Sequence, residues 1–167
     1  ASAVPADDAQ LNVVIHVNQV KEYVRTFAPD MPTLDMPINT NINIDMECNA
    51  SFDGTNLNFY RSSTRCENTG LLADVVYHEF GHAMHFSSII PGVGRMEGAF
   101  SEGLSDFLAA SITEDAGMGR GFFYSSTPLR DLDPAGKEPR WPEDIGEIHK
   151  TGIIFGFQNA HAFEAQP

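Results

Sequence analysis

The feature that most constrains this chain is a pair of histidines four residues apart inside an apolar stretch. His78 and His82, with Glu79 between them in an HExxH pattern, lie in residues 71–88, whose apolar positions recur at helical spacing. Residues four apart share one helix face, about 6 Å apart along the axis, so both imidazoles can reach one zinc ion. Two unrelated histidines on a helix are the alternative.

A third ligand is available on a second predicted helix, residues 99–112. Glu102 lies twenty residues after His82, and packing of the two helices would bring its carboxylate to the imidazoles. Three protein ligands and an open fourth position are typical of catalytic rather than structural zinc sites. Glu97 is a rival ligand, but it precedes the helix and lacks an acidic partner four residues later.

The residues around these ligands have predicted roles as well. Glu79, next to the first ligand, is positioned to act as a general base. Asp106, one turn after Glu102, is expected to bond the free ring nitrogen of His78, with a solvated helix carboxylate as the alternative. His85 shares the face of the histidine pair but lies roughly 10 Å along the axis from His78, too far to bind the same zinc ion.

The rest of the pattern predicts an α+β fold in one domain, 1–167, with a strand-containing part at 1–90 and a loop-rich part at 91–167. Residues 11–27 predict a helix, although their β-branched content leaves a strand open for the first half. Ile42, Ile44 and Met46 alternate with polar residues, a turn follows at Asp53-Gly54, and 57–60 returns as a second strand. Residues 117–147 predict loops, and 148–157 a third helix.

Charge and cysteine content limit the function classes. Ten Lys and Arg against 23 Asp and Glu give a net charge of -13, which argues against nucleic-acid and membrane-surface binding. No apolar run is long enough to span a membrane. Cys48 and Cys66 flank the predicted hairpin, and a disulfide is favoured over two free thiols, which indicates an oxidising compartment. Residues 1–10 show no signal peptide, which leaves an intracellular protein or a mature form already trimmed. The predicted disulfide favours the mature, secreted form.

With these residues in place, the chain resembles the thermolysin-like and, more loosely, the fungalysin-like peptidases of the gluzincin type, over about residues 49–155. The resemblance implies a zincin core with a small edge sheet, an active-site helix and a glutamate helix. It also implies one zinc ion per chain on His78, His82 and Glu102. The reaction would be peptide hydrolysis by metal-activated water, with Glu79 as the base.

Two further segments resemble the substrate-binding parts of these peptidases. Asn49 and Ala50 match an edge-strand motif whose side chain and carbonyl bind the substrate main chain. A turn, or a glycosylation sequon with Ser51, is the alternative for Asn49. Leu129 and Arg130 match an apolar wall and a donor to the substrate carbonyl, which implies a preference for a bulky apolar residue after the scissile bond.

Candidates for stabilising the oxyanion come from the same resemblance. His149, five residues after Asp144, resembles the histidine that stabilises the tetrahedral intermediate, with its orienting aspartate. Taken alone, His149 could equally be a surface histidine. No tyrosine lies between His82 and Glu102, where the family has a second donor, so Tyr124 is the nearest substitute.

The chain also departs from the family. Residues 117–121 replace the acidic cluster of its double calcium site, so calcium is not expected there. Almost all of the C-terminal helical lobe is missing. We therefore expect residues 153–163 to be covered in a homodimer or by a missing C-terminal segment, and activity to be weak.

The sequence thus predicts a zinc-dependent endopeptidase that acts on peptide or protein substrates. An aminopeptidase or another zinc hydrolase on the same scaffold is the alternative within the enzyme class. A truncated, weakly active or inactive binding fragment is the alternative outside it. Nothing in the sequence identifies the physiological substrate.

Overall fold

A computed structural model describes residues 5–90 and 98–132, and these two ranges form four α-helices and two small sheets. The elements in chain order are α1 (Pro5–Arg25), α2 (Pro32–Asp35), β1 (Asn39–Ile44), β2 (Ala50–Phe52), β3 (Asn56–Tyr60), α3 (Ala73–Ser88), α4 (Gly98–Thr113), β4 (Gly117–Met118) and β5 (Arg130–Asp131). The predictions that fall outside the described ranges concern Glu97, Asp144, His149 and segments 148–157 and 153–163. The single-domain division stays a prediction.

Burial at helical spacing identifies the first long segment as a helix. Val13, Val17, Val20 and Val24 are all buried on the face of α1 that meets α3, so the competing strand interpretation of this segment is wrong. Their β-branched side chains cost some helix propensity, but burial of four of them outweighs that cost. The helix begins six residues earlier and ends two residues earlier than predicted.

The two predicted metal-site helices are confirmed within two residues at every boundary. They pack directly on each other and share an apolar core that includes Phe80, Met84, Leu108 and Ala109. Gly81 makes this approach close, since a Cβ there would lie 2.6 Å from the Ser105 Cα. No helix in the described ranges is long and apolar enough to cross a membrane.

The three-stranded sheet has the order β1-β3-β2 and differs from the predicted hairpin. The strand that enters the turn at Asp53-Gly54 is β2, which pairs antiparallel with β3, whereas β1 pairs parallel with β3. Asn43 has a φ of 60°, which shifts the register of β1 and ends the apolar alternation. Met46 consequently lies outside the strand and is exposed.

Turn chemistry fixes the β2–β3 hairpin. The Asp53 carboxylate accepts hydrogen bonds from the Thr55 and Asn56 backbone N–H groups and from the Asn56 and Asn58 side-chain amides. These bonds hold the pKa of Asp53 well below its usual range, the Asn56 side chain contributing most. The carboxylate thus satisfies the N–H groups that the reversal leaves without strand partners.

The predicted disulfide is present. Cys48 and Cys66 are bonded, with their Cα atoms 5.4 Å apart, and Cys66 is fully buried in the core that also contains Phe59 and Val76. The bond connects Cys48, two residues before β2, to Cys66, which follows β3. It therefore joins the two ends of the β2–β3 hairpin.

The region after α4 contains a second, two-stranded sheet within the predicted loops. β4 and β5 pair antiparallel, and the Leu129 N–H donates to the Met118 carbonyl beside them. Gly119 has a φ of +73°, and the Leu129 side chain packs where its Cβ would be. A glycine is therefore required at this position on two counts.

Candidate metal centre

Two helices bring three predicted ligands together. On α3, His78 and His82 turn their Nε2 atoms towards each other at 3.0 Å. From α4, the Glu102 carboxylate lies 3.2 Å from His78 Nε2 and 3.5 Å from His82 Nε2. The three ligand atoms lie within 4.8 Å of one another, so the structure does bring the predicted set together.

These distances fit a zinc ion. Zinc bonds of about 2.0–2.1 Å in tetrahedral geometry separate neighbouring ligand atoms by roughly 3.3 Å. The observed separations of 3.0, 3.2 and 3.5 Å bracket that value. Two imidazoles and one carboxylate are also ligands that zinc accepts, and they leave one coordination position open. The residues therefore fit a catalytic rather than a closed structural metal site.

The second nitrogen of each imidazole has a buried partner. His78 Nδ1 lies 2.7 Å from the Asp106 carboxylate. This is the contact that the sequence predicted between Asp106 and the free ring nitrogen of His78. His82 Nδ1 lies 2.7 Å from the Ser101 hydroxyl, a contact that sequence reasoning missed. Asp106 and Ser101 are both almost completely buried. Each partner fixes the rotation of its ring, so that Nε2 points to the shared centre.

Arg130 continues this network away from the histidines. Its Nε and Nη2 atoms donate two hydrogen bonds of 2.6 Å to the two oxygens of Asp106. Burial alone would raise the pKa of Asp106, but the hydrogen bonds from His78 and Arg130 outweigh it and lower the pKa. Asp106 is therefore an ionised acceptor, and Arg130 has a partner inside the protein besides the predicted substrate carbonyl.

Glu79 faces the same space as a buried carboxylate. Only 4% of its surface is exposed, and its Oε2 atom has no hydrogen-bond partner among the described residues. Burial raises the pKa of Glu79 to about 7, while the nearby His78 and a hydrogen bond from the Phe52 backbone oppose the rise. A buried oxygen with a spare lone pair and a pKa near neutrality can accept a proton.

The electrostatics of the histidine pair favour one positive charge between the carboxylates. Burial, together with the neighbouring His78, lowers the pKa of His82 to about 4. Burial acts in the same direction on His78, but the hydrogen bonds with Asp106 and Glu102 raise its pKa to about 9. A site that stabilises a proton in this way also attracts a metal cation.

A cleft of about 510 Å³ opens onto these residues. One wall is β2, an edge strand in the described sheet, with Asn49, Ala50 and Phe52 facing the cleft. A second wall comes from the β4–β5 region, where the lining residues are Met118, Gly119, Leu129 and Arg130. All four residues predicted to bind substrate, Asn49, Ala50, Leu129 and Arg130, therefore line one cleft.

The structure also bears on two residues outside the ligand set, Tyr124 and His85. Tyr124 as an oxyanion donor is wrong, because its hydroxyl lies 2.7 Å from the Ser63 and Cys66 carbonyls and it does not line the cleft. His85 is not part of the ligand group, as expected, and packs on the Phe100 ring at 4.9 Å between centroids.

No family model matches this chain, and no curated protein sequence matches it. Among solved structures, the chain is similar to the precursor of protealysin, a metalloproteinase from Serratia proteamaculans. The TM-score is 0.67 at 17% sequence identity, over 95% of this chain and 59% of that one. This likeness shows that the fold is shared with a metalloproteinase precursor.

Proposed function

We propose that the chain is a zinc-dependent endopeptidase of the gluzincin type, with His78, His82 and Glu102 as the metal ligands. The observation that carries the proposal is the convergence of the two imidazole Nε2 atoms and the two Glu102 carboxylate oxygens, at separations of 3.0–3.5 Å, beside the buried carboxylate of Glu79. A zinc ion, when bound, supplies the Lewis acidity that activates water and polarises a carbonyl.

Each of the side chains around the ligands has its own role in the proposed reaction. Glu79 takes a proton from the attacking water at its free Oε2 and later gives it to the leaving amine. Asp106 and Ser101 keep the two imidazoles in the orientation that binding requires. Asp144 and His149 are the proposed pair for the oxyanion, on the resemblance of their spacing alone.

Substrate would bind as an additional strand. β2 pairs with β3 on one side, and its cleft side pairs with no described strand, so a peptide can extend the sheet there. The backbone of Phe52 also contacts Glu79, which brings the added strand close to the base. Leu129 and Met118 form an apolar wall, which favours a bulky apolar residue after the scissile bond.

We also propose that the protein acts outside the reducing cytosol. The support is the Cys48–Cys66 disulfide, which joins the only two cysteines in the sequence. Disulfides of this kind persist in oxidising compartments and are rare where thiols are kept reduced. An extracellular peptidase is consistent with the acidic net charge of -13, which favours solubility.

The test is hydrolysis of peptides that are blocked at both ends, with and without a chelator. An endopeptidase cuts the blocked peptide, loses this activity in chelator and regains it with zinc. Cleavage of free amino-terminal peptides alone would instead favour an aminopeptidase. Absence of turnover on both kinds of peptide, in protein that carries one zinc ion per chain, would contradict the proposal and favour a binding fragment.

A further inference from the structure

The disulfide lies directly behind the wall of the cleft that β2 forms. Cys48 immediately precedes Asn49 and Ala50, both of which line the cleft. Its φ of 57° is unusual for a residue other than glycine, so the surroundings fix the chain here. Its partner Cys66 is fully buried. The bond thus attaches the edge strand to the segment of residues 61–67.

That segment in turn holds the loop that leads away from the second wall. The Glu67 N–H donates to the Phe122 carbonyl at 2.8 Å. The Tyr124 hydroxyl lies 2.7 Å from both the Ser63 and the Cys66 carbonyl, so its single proton is shared between them. Phe122 is buried in the same apolar cluster as Cys66. The loop therefore docks on the disulfide-bonded segment through polar and apolar contacts.

The same loop is continuous with the second wall of the cleft. The Phe122 N–H donates to the Gly119 carbonyl at 3.2 Å, and the Gly119 N–H donates to Asp74 at 2.6 Å. Leu129 packs on the bare Cα of Gly119 and donates its N–H to Met118. A shift of the Phe122 loop must therefore move the residues that face substrate.

We propose that the Cys48–Cys66 disulfide and the Tyr124 hydroxyl act as positioning residues that hold the two cleft walls at the separation a peptide needs. The effect on peptide binding rests on the proposed peptidase function, whereas the connection between the two walls does not depend on it. Tyr124 and both cysteines lie outside the cleft lining, so they act through Ala50 on one side and Gly119 on the other. We call this connection, formed by the Cys48–Cys66 disulfide and the Tyr124 hydroxyl, the clamp. It should affect substrate binding more than metal binding.

The first variant is Tyr124→Phe, which removes the two contacts and keeps the ring. Its matched control is Tyr23→Phe on α1, whose ring packs on Phe27 away from the cleft. We expect KM for a blocked peptide to rise about 3- to 10-fold in Tyr124→Phe, as for loss of one hydrogen bond, with kcat and zinc stoichiometry unchanged. The Tyr23→Phe control should match the wild type.

A second readout does not depend on catalysis. Hydrogen exchange at the Gly119 and Leu129 amides should be several-fold faster in Tyr124→Phe than in Tyr23→Phe. The Gly119 amide holds the second wall to Asp74 on α3, and the Leu129 amide is bonded to Met118 within that wall, so both bonds should open more often when the wall is less constrained. The double variant Cys48→Ala/Cys66→Ala should show the same change, together with faster exchange at Phe52 on β2.

The outcomes separate the two proposals. Faster exchange in Tyr124→Phe than in Tyr23→Phe, with no peptidase activity in the wild-type protein, would support the clamp and count against the peptidase function. Unchanged exchange and unchanged KM in Tyr124→Phe would overturn the clamp and leave the peptidase function intact. A fall in zinc stoichiometry or in kcat at constant KM would also overturn it, since a positioning role predicts neither.

Discussion

At the scale of single residues, the metal site depends on a missing side chain. Gly81 lies between the two histidine ligands on α3, and a Cβ there would meet the Cα and Oγ of Ser105 at 2.6 and 2.7 Å. Ser105 belongs to α4, the helix that carries Glu102. The separation between the third ligand and the histidines is therefore set by a glycine that lets two helix backbones approach closely.

Gly81→Ala should push the two helices apart. Overpacking of a buried contact costs about 1–3 kcal/mol in the free energy of unfolding, and here it should also weaken zinc binding by displacing Glu102. The control is Gly98→Ala on the same pair of helices, where a Cβ would meet no atom within 4 Å. Urea unfolding and a zinc titration measure both effects. Equal zinc affinity in the two variants would contradict this account.

The grouping of the candidate ligands could be predicted from the sequence because helix geometry relates spacing to direction. His78 and His82 are one turn apart, and Asp106 is one turn after Glu102, so each pair must share a face. The Ser101 contact could not be predicted in this way. Which of several small polar residues on α4 meets a histidine depends on the crossing of the two helices, which spacing within one helix does not determine.

At the scale of elements, the sheet was predicted less well than the helices. The alternation of Ile42 and Ile44 does identify a strand, but not its partner or its direction. The parallel pairing of β1 with β3 depends on the path of the residues between them, 45–55, which include Cys48 and β2. Strand pairing is a non-local property, whereas helix periodicity is local.

The disulfide should contribute measurably to stability. It joins residues 18 apart, for which loop-entropy arguments give about 3 kcal/mol in the free energy of unfolding. Reduction, or the Cys48→Ala/Cys66→Ala variant, should lower the urea midpoint accordingly. Thiol titration should find no free thiol in the denatured, unreduced protein and two after reduction. Two thiols before reduction would contradict the assignment.

Strand β5 supplies the other test at this scale. Arg130→Ala removes the two hydrogen bonds that Arg130 donates to Asp106 and leaves the His78 contact in place. A hydrogen bond to a charged group is worth about 1.5–3 kcal/mol. We expect kcat/KM to fall at least about tenfold while zinc stays bound, because the three ligands are untouched. Arg25→Ala is the matched control, since Arg25 forms an ion pair with Asp35 at 3.1 Å and neither residue lines the cleft. Equal losses in both variants would argue against a role for Arg130.

At the scale of the whole molecule, the likeness to a solved metalloproteinase precursor extends over 95% of this chain but 59% of the other. The described ranges contain the candidate metal ligands, the proposed base and both cleft walls. Asp144 and His149 lie outside those ranges, so the oxyanion part of the site stays a prediction. The core of the site thus depends on α3, α4, β2 and the β4–β5 region.

Calcium should contribute little to stability. The Asp115 carboxylate is bonded to the Arg120 guanidinium at 2.6 Å and to the Gly117 N–H, so an internal cation already neutralises it. Removal of calcium at constant zinc concentration should leave the melting temperature unchanged within error. A fall of about 3 °C or more, equivalent to roughly 1 kcal/mol in a domain of this size, would contradict this prediction.

The measurement that tests the central claim most directly compares Glu79→Gln with the wild type for zinc content and peptide hydrolysis together. Glutamine has the same shape but cannot accept the proton, so hydrolysis of a blocked peptide should fall by at least about 100-fold. Both proteins should hold one zinc ion per chain, because the proposed ligands are His78, His82 and Glu102 and the substitution touches none of them. Loss of zinc from the variant, or retention of its activity, would contradict the assignment of Glu79 as the base.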